Sequence, residues 1–264
     1  MKKVLSLLVA CAMFVIMTAP VMAEHGSDGY TRSYGIEHEG VDPELNPTYE
    51  EIYEDVEDTV NYPTGELVEG LPFTDVFADD WFANAVKWVF EAGIMNGVSD
   101  EHFAPEATTT RGMVVTVLGR YYQTFINEDA DIVADFATVS DFEDVEVGQW
   151  YAPFVAWAAA NGVVYGISET EFAPSRTVNR AELTTILFRF MNSMGLTVEL
   201  DEEVPALLDA DEIPEWASEA MEFMAAAGIL FMDDANYARP TEPAPRSEIA
   251  SAIYFFNMHT VSAE

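Results

Sequence analysis

The sequence predicts an all-α, mainly helical protein built from three helix–loop–helix repeats that pack together. Three observations carry this prediction. A segment recurs along the chain, apolar residues within each copy follow helical spacing, and a glycine-containing loop separates the two helices of a copy. One such helix pair cannot bury its apolar face alone, so the three copies are expected to share a core.

The repeats are recognised from a constant offset of 69 residues, without a gap, between the first two copies. The coinciding pairs are Phe73/Phe142, Asp75/Asp144, Val76/Val145, Trp81/Trp150, Trp88/Trp157, Gly93/Gly162, Gly97/Gly166, Phe103/Phe172, Pro105/Pro174 and Arg111/Arg180. So many identities at one offset exclude chance. We assign the repeats to residues 71–134, 135–200 and 201–264.

The third copy is more diverged and follows the second at an offset of 66. It keeps one tryptophan, one glycine, one proline and one arginine of the pattern, which are Trp216, Gly228, Pro240 and Arg246. Two motif positions require a one-residue shift. Asp209 then takes the place of the Phe-x-Asp aspartate, and Tyr237 takes the place of the loop phenylalanine.

Each repeat predicts two helices. In the first repeat, apolar residues over 80–92 lie on one helical face, and Gly93 ends that helix. The second helix is expected to begin at Arg111. The remaining helices are predicted over 150–161, 180–194, 214–227 and 246–258. All five tryptophans fall on first helices in this prediction, and Trp88 and Trp157 are expected in the core.

The composition admits a folded protein and excludes several functional classes. Half of the 264 residues are hydrophobic, which is enough for a sizeable core. The 47 acidic and 11 basic residues give a net charge of −36, which excludes non-specific nucleic-acid binding and disfavours anionic lipid. One cysteine excludes a disulfide framework, and four scattered histidines show no metal-binding spacing.

The first segment has the pattern of a secretory signal peptide, predicted over residues 1–23. Lys2 and Lys3 precede an apolar run that ends at a small-residue cleavage site, Ala23. No later stretch reaches the ~18 unbroken apolar residues that span a bilayer, so a secreted protein without a membrane span is expected. Cys11 lies in a lipobox-like sequence, but the apolar run continues beyond it, which argues against lipidation.

Residues 24–70 predict an extended, disordered acidic linker. They carry 14 acidic residues, Arg32 as their one arginine or lysine, and five of the eleven tyrosines. Such a segment repels itself and stays extended. The alternative is a segment that binds a partner through its tyrosines or a cation through its carboxylates. Ca²⁺ binding is possible, but the segment contains no EF-hand-like motif that would support it, and no other cofactor is expected.

An arginine begins the second helix in every repeat, at Arg111, Arg180 and Arg246. The preceding Thr or Asn is an N-cap, which places the arginine at the first helical position. A guanidinium beside free backbone N–H groups suits a carboxylate or phosphate. The alternative is an internal salt bridge with one of the motif aspartates, which are Asp75, Asp144 and Asp209.

Together these motifs resemble the S-layer homology (SLH) repeat of bacterial cell-surface proteins. The resemblance rests on F-x-D-V, a Trp-bearing helix, G-[IV]-x-x-G, F-x-P and a T-R-A-E-like tetrad, over about residues 71–260. It implies a pseudo-threefold SLH trimer of repeats with a central helical bundle and grooves between neighbours. It also implies a non-catalytic module that anchors a secreted protein at the bacterial cell wall or S-layer by binding secondary cell wall polymer, typically a pyruvylated polysaccharide.

The resemblance also implies which residues contact the polymer. By position these are the tetrad arginines Arg111, Arg180 and Arg246 and the loop glycines Gly97 and Gly166. A groove tryptophan could stack on a sugar or belong to the core, the candidates being Trp81, Trp150 and Trp216.

The copies depart from the SLH pattern to different degrees. Residues 179–182 are closest to it, so the grooves of the second repeat are expected to bind best. The first repeat has Gly112 and Met113 in place of Ala-Glu, and the third has Met232 at the loop glycine and Pro245 at the N-cap. The acidic surface is expected to require salt or divalent cations for binding an anionic polymer.

Two other functional classes are considered. The first is a structural or adaptor protein of the surface layer, which self-associates or packs through cation bridges, with residues 24–70 recruiting a surface-layer protein. The second is an enzyme. The sequence shows no nucleophile elbow, zinc motif or Cys–His constellation, and the repeats leave no space for a catalytic domain, so no enzymatic activity is expected.

Overall fold

The computed structural model describes residues 65–137, 142–198, 200, 206–233 and 236–262. The predicted signal peptide and residues 24–64 of the predicted linker lie outside this part of the chain. The described residues are mainly helical, which confirms the predicted class. Within the described ranges, no helix is both long and apolar enough to cross a bilayer.

Seven α-helices and one short strand pair make up the regular structure of the described residues. The helices are α1 (Ala83–Glu91), α2 (Arg111–Tyr121), α3 (Ile132–Asp135), α4 (Ala152–Ala160), α5 (Arg180–Ser193), α6 (Ser218–Ala226) and α7 (Arg246–His259). A π-helical turn, Tyr122–Ile126, continues α2, and 3-10 turns at Ala210–Glu212 and Glu215–Ala217 precede α6. Strands β1 (Leu196–Val198) and β2 (Thr260–Ser262) pair antiparallel, a contact between distant parts of the chain that the sequence does not predict.

The second helices begin at the predicted arginines, and the predicted N-caps are present at α2 and α5. Thr110 Oγ1 accepts a hydrogen bond from Met113 N at the start of α2. At α5, Asn179 Oδ1 accepts from Glu182 N at 2.8 Å, and Glu182 Oε2 accepts from Asn179 N at 3.1 Å. The predicted N-cap of the second repeat is therefore confirmed, and Asn179 and Glu182 together form a capping box.

The first helices begin later than predicted, and this moves three tryptophans out of them. Helix α1 begins at Ala83, and Ala83 N donates to Asp80 O in a turn that precedes it. Trp81 and Trp150 lie in such turns, and Trp216 lies in a 3-10 turn. The prediction that every tryptophan lies on a first helix is therefore wrong for these three residues.

The core is centred on the second helices. Tyr121 from α2, Phe190 from α5 and Phe256 from α7 contact one another, with ring centroids 5.8–6.0 Å apart. Around them α1 packs on α7, α4 on α2, and α6 on α5, so each first helix lies against the second helix of another repeat. Trp157 is 3% exposed, which confirms its predicted place in the core, whereas Trp88 is half-buried and packs against the core.

The motif aspartates hold the loops between the helices. Asp144 accepts backbone hydrogen bonds from Phe172 N at 2.8 Å and Ala173 N at 2.6 Å. Ala173 has φ +58°, in the left-handed region that a side chain disfavours. Two charge-assisted hydrogen bonds to this turn therefore stabilise a conformation that the local sequence does not favour. Asp75 makes the same bonds to Phe103 N and Ala104 N.

The third repeat follows this pattern with one correction to the alignment. Asp209 accepts from Ala238 N at 2.9 Å and Arg239 N at 2.6 Å, which confirms its assignment as the motif aspartate. Ala238, rather than Tyr237, therefore occupies the position of the loop phenylalanine. Tyr237 is exposed.

The boundary of the predicted linker also needs correction. The sequence predicts that residues 65–70 belong to the disordered segment, yet they pair with the first repeat. Ala78 N donates to Glu66 O at 2.8 Å, Leu67 forms a bridge with Phe77, and Lys87 Nζ donates to Glu69 O at 2.7 Å. Backbone pairing, which composition does not reveal, adds these residues to the repeat.

Candidate functional site

Each tetrad arginine reaches from the start of its helix into the loop of another repeat. Arg111 donates from Nε to Phe172 O at 2.8 Å and from Nη2 to Tyr165 O at 2.7 Å. The corresponding carbonyl acceptors are Ala238 and Phe231 for Arg180, and Phe103 and Asn96 for Arg246. The first repeat thus contacts the second, the second contacts the third, and the third contacts the first.

The backbone N–H groups beside these arginines are not free. Arg111 N donates to Arg176 O at 3.0 Å, and Gly112 N donates to Pro174 O at 2.8 Å. The equivalent bonds are Arg180 N to Glu242 O, Ala181 N to Pro240 O, Arg246 N to Ala107 O and Ser247 N to Pro105 O. The expectation that these N–H groups are available to an anion is therefore wrong, because neighbouring carbonyls already accept from them.

The internal salt bridge considered as the alternative takes a different form. The motif aspartates accept hydrogen bonds from loop N–H groups, while the arginines donate to loop carbonyls. One arginine does form an ion pair, since Arg180 Nη1 donates to Glu248 Oε1. The sequence contains this glutamate at the fourth position of the third tetrad, but only the packing of two repeats brings it to Arg180.

The three guanidinium groups are buried against aromatic rings. Arg111, Arg180 and Arg246 are 7%, 5% and 8% exposed. The guanidinium carbon of Arg111 lies 4.4 Å from the Phe172 ring centroid, and that of Arg246 lies 4.7 Å from the Phe103 centroid. A buried cation on an aromatic face binds an anion more strongly than a solvated one, because little water competes.

Burial also affects the titration of these groups. Desolvation lowers the pKa of Arg111, and the nearby positive charge of Arg176 lowers it further. Desolvation lowers the pKa of Arg246 to about 10, with a partial offset from Asp75. Desolvation raises the pKa of Glu248 to about 7 despite its contact with Arg180. Arg246 therefore remains a cation at neutral pH.

The third guanidinium nitrogen distinguishes the arginines from one another. Nη1 of Arg180 is taken by Glu248, whereas Nη1 of Arg111 and of Arg246 has no hydrogen-bond partner among the described residues. In that part of the chain, the fully buried side-chain atoms without a partner are Thr109 Oγ1 and Ser251 Oγ. The Nη1 groups of Arg111 and Arg246 are therefore donors that no described residue uses.

The loop glycines have a packing role. A Cβ at Gly97 would lie 2.5 Å from Ser99 O, and one at Gly166 would lie 2.2 Å from Ser168 O. Backbone this close leaves no room for a side chain. Their contact with polymer stays a prediction.

The groove tryptophans are surface residues. Trp81, Trp150 and Trp216 are 50%, 48% and 54% exposed, so the core alternative is wrong for them. Trp81 of the first repeat stacks on Phe231 of the third, with ring centroids 4.4 Å apart and planes at 27°. Because Phe231 O also accepts from Arg180, this stack lies beside the Arg180 guanidinium.

Comparisons with known proteins agree with the motifs. The family model of the S-layer homology domain matches residues 72–112 and 141–184. These segments contain the first helix, the loop and the helix-start arginine of the first two repeats. The third repeat lies outside them, although Arg246 makes the same type of contact.

The relatives are larger proteins of the cell surface and enzymes. Exoglucanase XynX of Acetivibrio thermocellus is 24% identical over 192 residues, which are 73% of this chain and 17% of that protein. The surface-layer 125 kDa protein of Lysinibacillus sphaericus is 26% identical over 169 residues, 63% of this chain and 13% of that protein. A cellulosome-anchoring protein of A. thermocellus is 26% identical over 121 residues, 45% of this chain and 26% of that protein.

The chain spans about a quarter or less of the length of these relatives, so the similarity concerns one part of each. S-layer homology domains are non-catalytic anchoring modules. The matched segments and the relatives together identify residues 72–112 and 141–184 as S-layer homology segments, similar to parts of surface-layer and cellulosome-anchoring proteins.

Proposed function

We propose that this protein binds an anionic secondary cell wall polysaccharide non-covalently, in grooves between its repeats, and thereby anchors itself and any attached partner. The observation that carries the proposal is the buried arginine at each helix start, held by carbonyls of another repeat. In Arg111 and Arg246 one nitrogen of this buried cation has no hydrogen-bond partner among the described residues. A carboxylate, such as that of a pyruvyl ketal, has the charge and geometry to accept from it.

The arrangement of contacts supports a pseudo-threefold trimer with the second helices as the central bundle. Three helices meet through Tyr121, Phe190 and Phe256, and the arginine contacts return from the third repeat to the first. In this arrangement residues 1–23 are a signal peptide, residues 24–64 a linker, and the rest of the chain forms three repeats.

The exposed tryptophans suit the sugar rings of such a polymer. Trp150 packs edge-on against Tyr151, whose Cγ would lie 3.3 Å from a Cβ at Gly112. This places Trp150 near the first repeat, as Trp81 is near the third. An exposed indole at a groove offers an apolar face to a pyranose while neighbouring polar groups bind its hydroxyls and acids.

The protein's net charge affects how such binding depends on salt. Loss of Lys2 and Lys3 with the signal peptide leaves a net charge of −38. Long-range repulsion of an anionic polymer is screened beyond about 8 Å at physiological ionic strength. We expect binding to strengthen from low to moderate salt and to weaken only when salt competes at the arginine itself.

The test is co-sedimentation of the mature protein with purified cell walls, before and after chemical removal of the secondary polymer. Binding to intact walls alone is the expected result. Trp150→Ala is expected to weaken binding, and Phe255→Ala, an exposed aromatic residue on α7, is the matched control. Equal binding to intact and stripped walls would contradict the proposal and favour a surface-layer adaptor. Turnover of wall polysaccharide would contradict a non-catalytic role.

A further inference from the structure

The fourth residue of each tetrad differs between the repeats, and it lies where the arginine of the preceding repeat ends. Glu248 holds this position in the third repeat and contacts Arg180 of the second. The repeat offsets place Glu182 in the same relation to Arg111, and Met113 in the same relation to Arg246. Arg180 therefore forms an ion pair with Glu248. Arg111 corresponds in the same way to Glu182, and Arg246 to Met113.

Glu248 occupies the donor of Arg180 that is free in the other two arginines. Both side chains are buried, with 5% and 12% exposure, and Glu248 Oε1 accepts from Nη1. The sequence before the helix explains why Glu248 is available. Pro245 has no N–H, so Glu248 cannot close a capping box and is left to pair with Arg180.

Glu182 is engaged within its own repeat. Its Oε2 accepts from Asn179 N at 3.1 Å, and its Oε1 accepts from Arg176 Nη2 at 2.6 Å. The second carboxylate is therefore held by a capping box and an ion pair. Arg111 Nη1 therefore has no hydrogen-bond partner among the described residues. The Glu182 carboxylate acts electrostatically on Arg111, but Arg176 already pairs with it.

Met113 supplies no carboxylate at all. Asp75, the acid that acts electrostatically on Arg246, already accepts from Phe103 N at 2.9 Å and Ala104 N at 2.7 Å. Arg246 is thus a buried cation, 8% exposed, whose Nη1 has no hydrogen-bond partner among the described residues and whose neighbouring repeat offers no tetrad carboxylate.

On the basis of the proposed function, we infer that the fourth tetrad residue determines which groove accepts an anionic ligand. Glu248 acts as an internal carboxylate that closes the groove at Arg180, and Met113 leaves the groove at Arg246 as the principal site. Arg111 provides a weaker second site. The Trp81–Phe231 stack adds to the closure, because it covers the loop whose carbonyl holds Arg180. The second repeat, closest to the family pattern, therefore does not provide the best site.

The test is calorimetric titration of the full mature protein with a monosaccharide that carries a pyruvyl ketal, at pH 8 and moderate salt. Glu248→Gln is expected to open the Arg180 groove and raise the binding stoichiometry by one site. Glu222→Gln, which removes the same charge from the exposed face of α6, controls for net charge. Met113→Glu is expected to weaken the strongest site three- to tenfold relative to Met113→Gln, because it adds a like charge beside the bound carboxylate. Thermal unfolding of each variant establishes that it is folded.

The outcomes separate this inference from the proposed function. Unchanged stoichiometry in folded Glu248→Gln, or equal affinity in Met113→Glu and Met113→Gln, overturns the groove assignment while wall binding by the wild-type protein stands. A wild-type protein that binds neither the monosaccharide nor intact walls overturns both.

Discussion

Replacing Asp144 tests whether the motif aspartate, rather than the loop sequence, maintains the site. Its carboxylate accepts from Phe172 N at 2.8 Å and Ala173 N at 2.6 Å, and Ala173 has φ +58°. Hydrogen bonds to a charged group contribute roughly 1.5–3 kcal/mol each, and half-burial of Asp144 favours the lower values. We therefore expect Asp144→Ala to lower the free energy of unfolding by about 3 kcal/mol. The loop whose carbonyls hold Arg111 then loses its support.

The assay is equilibrium urea unfolding followed by tryptophan fluorescence. Asp144→Asn should lower the free energy of unfolding by about 2 kcal/mol, because the amide oxygen of the new side chain can still accept one bond while the amide NH₂ group faces a second donor. Asp211→Ala, at an exposed position in a 3-10 turn, removes the same charge without these bonds and is the matched control. A loss below about 1 kcal/mol for Asp144→Ala, relative to that control, would refute the reasoning.

Three further predictions concern stability. Burial raises the pKa of Glu248 to about 7, with Arg180 and Arg239 opposing the shift and Glu242 and Glu106 adding to it. A raised folded-state pKa means that its stabilising contribution is full below the unfolded pKa and is lost as the pH rises through about 7. The unfolding free energy of the wild type minus that of Glu248→Gln should therefore fall between pH 5 and 7, by up to about 1.4 kcal/mol per pH unit. A difference that stays constant across this pH range in urea unfolding would contradict this prediction. Gly166→Ala should cost about 2–3 kcal/mol, because the new Cβ would lie 2.2 Å from Ser168 O, and an unchanged urea midpoint would show that the loop can relax. Trp157→Ala, at a 3% exposed position, should cost about 3–5 kcal/mol, whereas Trp216→Ala, at a 54% exposed one, should cost less than about 1 kcal/mol; equal melting temperatures would contradict the different burial of the two rings.

Local features of the site could be predicted because they depend on residues close together in the chain. The starts of α2 and α5 depend on an N-cap one residue before an arginine, and α7 begins at the equivalent arginine of the third repeat. Asp209 was identified in the third copy despite a one-residue shift. The prediction for Tyr237 is wrong, because only the hydrogen bonds that Ala238 N and Arg239 N donate to Asp209 show which residue enters the turn.

The contacts that determine what the arginines can bind could not be predicted from the sequence. Arg111 bonds a carbonyl 61 residues away, and Arg246 bonds one 143 residues away. The predicted availability of the helix-start N–H groups failed for the same reason, since the carbonyls that accept from them come from other repeats. The turns that place Trp81 and Trp150 at the surface were also missed, because their apolar spacing continues that of the helices.

By itself the sequence determined the helical class, the repeated motif, the acidic character and the identity of the candidate arginines, because these follow from periodicity, composition and neighbouring residues. Only the tertiary structure shows which N–H groups of each arginine donate to the protein itself and which have no hydrogen-bond partner among the described residues. Arg180 and Arg246 are equivalent in sequence, yet Glu248 neutralises one and no tetrad carboxylate faces the other. That difference arises only when the start of one helix meets the tetrad of another repeat, since a buried charge is governed by the groups that packing brings to it.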